Sequence, residues 1–351
     1  MLLYIHIPFC DSKCHYCAFN SYVDKFELKE QYMDALFVQL EFELKRFQAT
    51  ANSIESVFIG GGTPSTVAPA LYKKIFEHIT PYLQEGCEIT SEANPNSATK
   101  EWLLGMYELG INRISFGVQS FDTKKLKVLN RAHSSDDARR AIEDAWDVGF
   151  KNLSLDLIYA TYGDTKELLQ SDLVQAFALP INHISAYALT IEEGTPFERK
   201  PTMSKERLST TQWLFETIDS QGFEQYEISN FGSYQSKHNL GYWQYKDYIG
   251  LGSGAVGKLD KQRLYPSKDI ERYIQAPCIS ESEELTPEDI KIEKIFLGFR
   301  SCVGVDASLL TSQEQNKAQL LVQEKKLTSQ DGIYYNPDYL LADEITLFLS
   351  S

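Results

Sequence analysis

The chain has 351 residues, enough for a large hydrophobic core, and its 43% hydrophobic and 24% charged residues are typical of a globular protein. Acidic residues outnumber basic residues by 49 to 34, and the net charge of −15 argues against nucleic-acid binding and adhesion to anionic lipid. No apolar run approaches the ~20 residues of a membrane span, and the first residues do not resemble a signal peptide. We therefore expect a cytoplasmic protein with reduced thiols.

The first predicted element is an apolar strand at residues 2–7, and a cysteine loop follows it directly. Cys10, Cys14 and Cys17 have the spacing Cys-x3-Cys-x2-Cys. Three thiolates on one tight loop can hold three irons of a [4Fe–4S] cluster and leave the fourth iron open to a further ligand. A zinc site would usually show a fourth ligand in a matching pair, and His15, inside the loop, is badly placed for that role. The remaining three cysteines are scattered, so we expect them to be small buried residues.

The first 200 residues alternate strand-like and helix-like segments. The clearest helical pattern has apolar residues from Met33 to Phe47 at spacings of three and four. This alternation predicts right-handed βαβ units, a parallel sheet and an α/β fold, namely a partial (β/α)6 barrel with its chemistry at the C-terminal ends of the strands. The predicted strands lie at residues 2–7, 56–59, 88–93, 113–118, 153–158 and 184–189.

The pattern changes after the predicted barrel, which we assign to residues 1–200. Residues 201–280 form an extension rich in aromatic residues and glycine, and an acidic linker is predicted beyond Ser280. Residues 281–351 are predicted to form a small α+β domain of winged-helix-like type, with helices at 287–299 and 312–326 and a hairpin turn at 331–332. This last segment carries 13 acidic and six basic residues, which argues against a DNA-binding wing.

Two further motifs follow predicted strands. Residues 60–65, GGGTPS, allow close approach of the backbone to a ligand, or a tight turn in which Ser65 caps the next helix. Glu92 and Asp156 lie near the ends of strands three and five. A carboxylate in an apolar strand is costly unless it is paired or bound by a ligand, so we expect a ligand site there. Gln119 and Arg131 accompany these residues.

These motifs resemble the radical S-adenosylmethionine (SAM) superfamily, and residues 4–10, YIHIPFC, with 297–300, LGFR, resemble its coproporphyrinogen-oxidase-like branch. The resemblance implies that SAM occupies the fourth iron of the cluster and is cleaved to a 5′-deoxyadenosyl radical. One departure is residues 160–164, ATYGD, where the branch usually has GLPGQ. The resemblance implies SAM contacts from Tyr4, Gly61, Gly62, Thr63, Glu92, Gln119, Arg131 and Asp156.

Two functions compete within this branch. One is the oxygen-independent coproporphyrinogen III oxidase, which decarboxylates two propionates of its substrate, and the other is a haem chaperone. The oxidase typically has a long segment before the cluster strand, which begins at Leu2 here, and a further cysteine where this chain has Phe19. Residues 238–243, HNLGYW, match the chaperone's His-Asn-x-x-Tyr-Trp motif, which is associated with haem binding. We therefore favour the chaperone, whose cluster and SAM would serve either control or catalysis.

The residue types of this motif suit haem. Imidazole is a good iron ligand, and aromatic rings offer flat faces to a macrocycle, although the motif also fits an aromatic core cluster with one hydrogen-bonded histidine. His133 and the cysteines outside the cluster are further candidates for the iron, and Lys237 and Lys246 are candidates for the propionates. The resemblance implies haem contacts from His238, Asn239, Tyr242 and Trp243.

The resemblance also implies partners. Respiratory haem proteins would receive the haem, and the protein would associate with a membrane transiently through such clients, without inserting. A separate protein would donate electrons to the cluster. Residues 252–257 fit G-x-G-x-x-G but lack a βαβ context, so we expect a flexible or closely packed loop beside the His238 motif and no dinucleotide site.

Overall fold

The structure, a computed structural model, describes residues 1–350. Strands β1 to β6 pair in chain order and in parallel, which confirms the predicted partial (β/α)6 barrel. These strands are β1 (Leu2–Ile7), β2 (Ile54–Gly61), β3 (Leu83–Ala93), β4 (Arg113–Gln119), β5 (Asn152–Tyr159) and β6 (His183–Ala188). The helices between them are α1 (Lys29–Arg46), α2 (Pro69–Ile79), α3 (Lys100–Glu108), α4 (Thr123–Leu129), α5 (Ser135–Val148) and α6 (Lys166–Phe177).

The alternation of side chains along each strand separates the two faces of the sheet. Leu3, Ile5 and Ile7 of β1 are buried in the core beneath the outer helices, so Tyr4 and His6 point to the concave face, which encloses the lumen of the barrel. Helix α1 buries the predicted apolar face against this core. Because the strands are parallel, their C-terminal ends lie at one edge, and the cysteine loop follows β1 at that edge.

Residues 201–280 extend the same sheet at both ends. Strand β7 pairs antiparallel with β6, β8 pairs parallel with β1, and β9 to β11 continue outward in antiparallel pairs. The predicted acidic linker is wrong in part, because Ser280–Glu284 is an edge strand whose exposed glutamates protect it from further pairing. The elements are α7 (Leu208–Asp219), β7 (Asn230–Gly232), α8 (Lys237–Trp243), β8 (Tyr248–Leu251), β9 (Gly257–Leu259), β10 (Gln262–Pro266), α9 (Ile270–Gln275) and β11 (Ser280–Glu284).

The C-terminal segment has its own hydrophobic core and a small antiparallel sheet of order β12-β14-β13. The predicted first helix and hairpin are present, and Asp331 and Gly332 have positive φ values of 51° and 79°, as a two-residue hairpin turn requires. The second helix ends at Gln323, earlier than predicted, and α12 is a helix that was not among the predicted elements. The elements are α10 (Pro287–Phe299), β12 (Val305–Asp306), α11 (Ser312–Gln323), β13 (Thr328–Gln330), β14 (Ile333–Tyr335) and α12 (Ala342–Ser350).

Over residues 1–350, no helix combines the length and the apolar character that crossing a membrane would require.

The loop after β5, where the sequence departs from its branch, is held by a buried ion pair. Lys125 of α4 lies 2.9 Å from the Asp164 carboxylate and also donates to the Ile158 carbonyl at 2.6 Å. Asp164 in turn accepts hydrogen bonds from the backbone and hydroxyl of Thr161 at 2.9 and 2.6 Å. The loop is therefore fixed by charge pairing and local hydrogen bonds.

We expect Asp164→Asn to lower the free energy of unfolding by about 3 kcal/mol, because it leaves the Lys125 ammonium buried without a counter-charge. Urea denaturation measures this change. Asp136→Asn makes the same substitution in an exposed pair with Arg139 and should cost less than ~1 kcal/mol. Equal effects of the two substitutions would contradict the assignment of Lys125 and Asp164 as a buried ion pair.

Candidate functional site

The cysteine loop lies between β1 and α1, at the edge where the parallel strands end. Cys10 is buried, and Cys14 and Cys17 are partly exposed. The Cys10 N–H donates to the Tyr22 carbonyl at 3.0 Å and the Cys17 N–H donates to the Cys14 carbonyl at 3.3 Å. Within residues 1–350, no three His, Cys, Asp or Glu side chains gather around the position of a single metal ion. In an iron–sulfur cluster each cysteine binds a different iron, so the three thiols can lie farther apart than the ligands of a single metal ion.

Two of the thiols accept hydrogen bonds from neighbouring motifs. The Thr63 hydroxyl donates to Cys10 Sγ at 3.4 Å, and Arg131 Nη1 donates to Cys14 Sγ at 3.3 Å. Burial raises the pKa of the Cys10 and Cys17 thiols, so an isolated thiolate is disfavoured in both cases. A bound metal removes that penalty, and donors to the sulfurs are a recognised means of tuning such a centre.

The glycine turn after β2 packs so closely against β1 and the cysteine loop that larger side chains would not fit. A Cβ at Gly61, which has a φ of 108°, would lie 2.5 Å from the His6 ring, and a Cβ at Gly62 would lie 3.0 Å from Cys10 Sγ. The Gly61 N–H donates to Glu92 Oε2 at 3.1 Å and the Gly62 N–H to the Ile7 carbonyl at 2.7 Å. These glycines therefore allow close packing of the turn against the cysteine loop, and both N–H groups are used inside the protein.

Ser65 does not cap the following helix, as one interpretation of the motif proposed. Its hydroxyl lies 2.6 Å from the Ser97 hydroxyl and accepts the Asn94 N–H at 3.0 Å. It therefore joins the glycine turn to the segment after β3.

The lumen carries two carboxyl groups with raised pKa values. Burial raises the pKa of Glu92 to about 8, the nearby Asp156 carboxylate adds to the rise, and the Gly61 N–H opposes it. Burial also raises the pKa of Asp156, which accepts a hydrogen bond from Ser115 at 3.4 Å. Arg113, only 2% exposed, supplies the opposing charge from β4. Two carboxyls held close together in a low-dielectric lumen favour a cationic ligand.

Gln119 and Arg131 meet above the end of β4. Gln119 ends the strand with a φ of 67°, and Arg131 Nη2 donates to Asn94 Oδ1 at 2.7 Å and to the Gly117 carbonyl at 2.6 Å. A Cβ at Gly117 would lie 3.0 Å from Arg131 and 3.2 Å from Gln119, so a larger residue would require these side chains to shift. Arg131 Nε is buried and has no hydrogen-bond partner in the described chain, which leaves one donor for a ligand.

Tyr4 faces the lumen from β1. Its hydroxyl lies 3.0 Å from His6 Nδ1, and His6 Nε2 lies 2.8 Å from the Asn20 carbonyl. A carbonyl can only accept, so Nε2 carries the proton and the Tyr4 hydroxyl donates to Nδ1. Burial lowers the pKa of His6, in agreement with a neutral ring. The residues implied as SAM contacts thus lie in the lumen of the barrel, as Tyr4 and Asp156 do, or at the C-terminal ends of its strands and in the loops that follow them.

The His-Asn-x-x-Tyr-Trp motif lies at the opposite end of the lumen. His238 is 1% exposed, with Nδ1 2.8 Å from the Ser56 hydroxyl and Nε2 3.1 Å from the Tyr242 hydroxyl. Burial lowers its pKa to about 3, so the ring is neutral. The buried Glu88 carboxylate accepts the N–H groups of Lys237 and His238 at 2.9 and 3.0 Å and anchors the start of α8. Both ring nitrogens of His238 are therefore occupied.

The other candidates for haem contacts are dispersed. Asn239 and Trp243 are partly buried on α8, and Lys246 forms an ion pair with Glu55. Lys237 Nζ donates to the Gly86 carbonyl at 3.0 Å. His133 Nε2 lies 2.9 Å from the Val118 carbonyl, and its buried Nδ1 has no partner in residues 1–350. Of the motif, Tyr242 alone lines a cavity together with Tyr4.

The G-x-G-x-x-G segment is a closely packed loop between β8 and β9, which is one of the two forms expected. A Cβ at Gly252 would lie 2.5 Å from the Tyr32 hydroxyl, and a Cβ at Gly254 would lie 2.8 Å from Asn20. Asn20 donates to the Ser253 carbonyl at 2.9 Å. This loop therefore packs against Asn20, in the segment that directly follows the cysteine loop.

Comparisons with known proteins indicate the class to which this chain belongs. Residues 4–173 match the radical SAM superfamily. The fold is similar to that of coproporphyrinogen III oxidase (HemN) from Escherichia coli, with a TM-score of 0.83 and 19% identity over 100% of this chain and 90% of that one. The chain therefore contains a radical SAM domain over residues 4–173 and has a HemN-like fold.

Curated relatives narrow the class. The chain is 34% identical to "Heme chaperone HemW" of Bacillus subtilis over 86% of this chain and 84% of the relative. It is 38% identical to "Heme chaperone HemW" of Escherichia coli over 73% of this chain and 70% of the relative. The chain belongs to the HemW-like family of radical SAM proteins.

We expect Glu92→Gln to change how stability depends on pH. The pKa of Glu92 is about 8 in the folded chain and near 4.5 when unfolded, so the folded chain binds more protons between these values and loses stability as pH rises. Glutamine does not ionise, so the Glu92→Gln variant does not lose stability in this way. Between pH 5 and pH 8 its free energy of unfolding should therefore rise relative to that of wild type when unfolding is measured without SAM. Glu85→Gln, on the exposed part of β3, is the control. Parallel pH curves for wild type and Glu92→Gln would contradict the assignment.

Proposed function

We propose that this protein is a haem chaperone that holds a [4Fe–4S] cluster and SAM, binds haem and delivers it to client haem proteins. The observation that carries the proposal is 34–38% identity to curated haem chaperones over most of the chain. The gathered cysteine loop, glycine turn and lumen carboxyls support it.

The cluster would be held by Cys10, Cys14 and Cys17, whose loop the Thr63 and Arg131 side chains contact. When bound, the cluster and SAM supply one-electron chemistry at the open iron. The protein's contribution is binding and orientation. Its lumen carboxyls would stabilise the positive charge of SAM, and Arg131 Nε offers a donor to its carboxylate. The SAM contacts we propose are Tyr4, Gly61, Gly62, Thr63, Glu92, Gln119, Arg131 and Asp156.

Haem would be the cargo, and respiratory haem proteins would receive it. A separate protein would donate electrons to the cluster. Contact with a membrane would be transient and would occur through the client proteins. We place the protein in the cytoplasm, where thiols stay reduced. The oxidase alternative rests on a fold likeness at 19% identity, which carries the fold alone. Phe19, at the position of the oxidase's further cysteine, is 67% exposed and supports the chaperone.

We expect Cys14→Ser to abolish the brown colour of protein purified without oxygen, because serine is a poor ligand for cluster iron. Iron analysis and the visible spectrum measure this loss. Cys302→Ser, at an exposed cysteine outside the loop, should keep wild-type iron content. Four irons per chain in the Cys14→Ser protein would overturn the cluster assignment.

We expect the reconstituted protein to bind haemin saturably, at one per chain, in a titration followed at the Soret band. It should not convert coproporphyrinogen III when SAM and a reductant are supplied. Turnover of that substrate together with unsaturable haemin binding would overturn the proposed function and favour the oxidase.

A further inference from the structure

A cavity of about 660 Å³ opens beside the proposed SAM site. It lies between the cysteine loop, β1 and the strands β8 to β10, and its size is within the ~300–1,000 Å³ range of small-molecule sites. Aromatic rings supply much of its wall, from Tyr4, Phe19, Tyr242, Tyr248 and Tyr265. Phe19 lines the cavity and is 67% exposed, so its ring is open to a ligand. The cavity thus offers flat apolar surfaces to a ligand.

The charge of the cavity is opposite to that of the chain. Its wall, all of it within the described residues, includes Lys13 and Lys268 and no aspartate or glutamate, on a chain with a net charge of −15. Lys13 donates to the Phe19 carbonyl and to a serine hydroxyl, both at 2.7 Å, and in residues 1–350 neither lysine forms an ion pair. A carboxylate near the rim, Glu283, accepts the Tyr265 hydroxyl at 2.7 Å. Lys13 lies close enough to the Cys10 and Cys17 thiols to oppose the rise of their pKa values, and Lys268 has no ion-pair partner in the described residues, so the two ammonium groups together favour an anionic ligand.

The haem-associated motif reaches this cavity through one side chain. His238 is buried beneath it, and its Nε2 lies 3.1 Å from the hydroxyl of Tyr242, whose ring lies on the wall. The Tyr242 ring packs edge-on against Tyr248, with ring centroids 4.8 Å apart. The Ser56 hydroxyl holds the other nitrogen of His238. His238 can therefore orient the wall through Tyr242, but Nε2 cannot bind a ligand in the cavity without losing its hydrogen bond to the Tyr242 hydroxyl.

We propose that this cavity is the cargo site, where a planar macrocycle lies among the aromatic rings and its two carboxylates pair with Lys13 and Lys268. The proposal rests on the proposed function and names its site. Haem has both required features, a flat apolar ring and two propionates at one edge. In this arrangement His238 is a positioning residue that acts through Tyr242, and the iron is not bound by His238.

Lys268→Glu tests the charge of the cavity without disturbing the fold, because Lys268 is exposed. We expect this variant to bind haemin about tenfold more weakly than wild type, since like-charge repulsion replaces a charge-assisted hydrogen bond. Lys261→Glu makes the same charge change at an exposed site outside the cavity and should bind within twofold of wild type. With haemin dimethyl ester, which lacks the carboxylates, the difference between Lys268→Glu and wild type should disappear.

Phe19→Ala tests the aromatic wall in the same titration. We expect weaker binding of both haemin and its dimethyl ester, because the lost contact is apolar. SAM affinity should be unchanged in the Phe19 and Lys268 variants. If the two variants lost SAM binding and kept haemin affinity, the cavity would be an extension of the SAM site and the proposal would be overturned.

His238→Gln tests the positioning role, since glutamine can bond to both Ser56 and Tyr242. At saturating haemin we expect the Soret maximum and the ferric EPR spectrum of wild type. A changed spectrum would place the iron on His238 and overturn the proposal.

The two proposals fail separately. If the wild-type protein does not bind haemin, the chaperone function is rejected. If the wild-type protein binds haemin tightly and both Lys268→Glu and Phe19→Ala keep that affinity, only the assignment of the cargo site to this cavity is rejected.

Discussion

The polar lumen of the half-barrel is the constraint on which the rest of the structure depends. Side chains alternate along each parallel strand, so an outward face packed under helices leaves an inward face that here carries carboxyls, hydroxyls and the buried Arg113. Each of these groups costs free energy unless it is hydrogen-bonded or bound by a ligand. At one end of the lumen, α8 meets this need for two of the groups, because Glu88 caps the helix and His238 bonds to Ser56, whereas Arg113 Nε has no partner in residues 1–350. At the other end the groups remain partly unpaired, and that end faces the cysteine loop.

The difference between the two ends of the lumen distinguishes residues that stabilise the fold from residues that bind a ligand, although the residue types are similar. His238 and Glu92 are both ionisable groups inside a barrel. His238 has both nitrogens satisfied by protein hydroxyls, whereas Glu92 has a single backbone donor and a second carboxyl beside it. The first arrangement stabilises a fold, and the second is stabilised by a cationic ligand. The cavity along β1 then lies next to the proposed SAM site, because Tyr4 borders both, so cargo and cofactor would be close enough to influence each other.

Much of the barrel could be predicted from the sequence because its signals are local. Apolar β-branched runs mark β1 to β6, and a parallel sheet brings the ends of these strands together, which is why Glu92 and Asp156 were expected in one site. Signals between distant residues were not accessible. Ser56 lies 182 positions from His238, and Lys13 and Lys268 come together only through the fold. The edge strand β11 was taken for a linker because its glutamates mask the alternation of a strand.

A crystal structure of the anaerobically reconstituted protein with SAM and haemin tests the account most directly. The account predicts a macrocycle in the cavity between the cysteine loop and β8 to β10, with its carboxylates near Lys13 and Lys268 and with His238 still bonded to Ser56. It also predicts SAM at the open iron of a cluster held by the three loop cysteines. A haem iron bonded to His238, with α8 displaced from the end of the barrel, would contradict it.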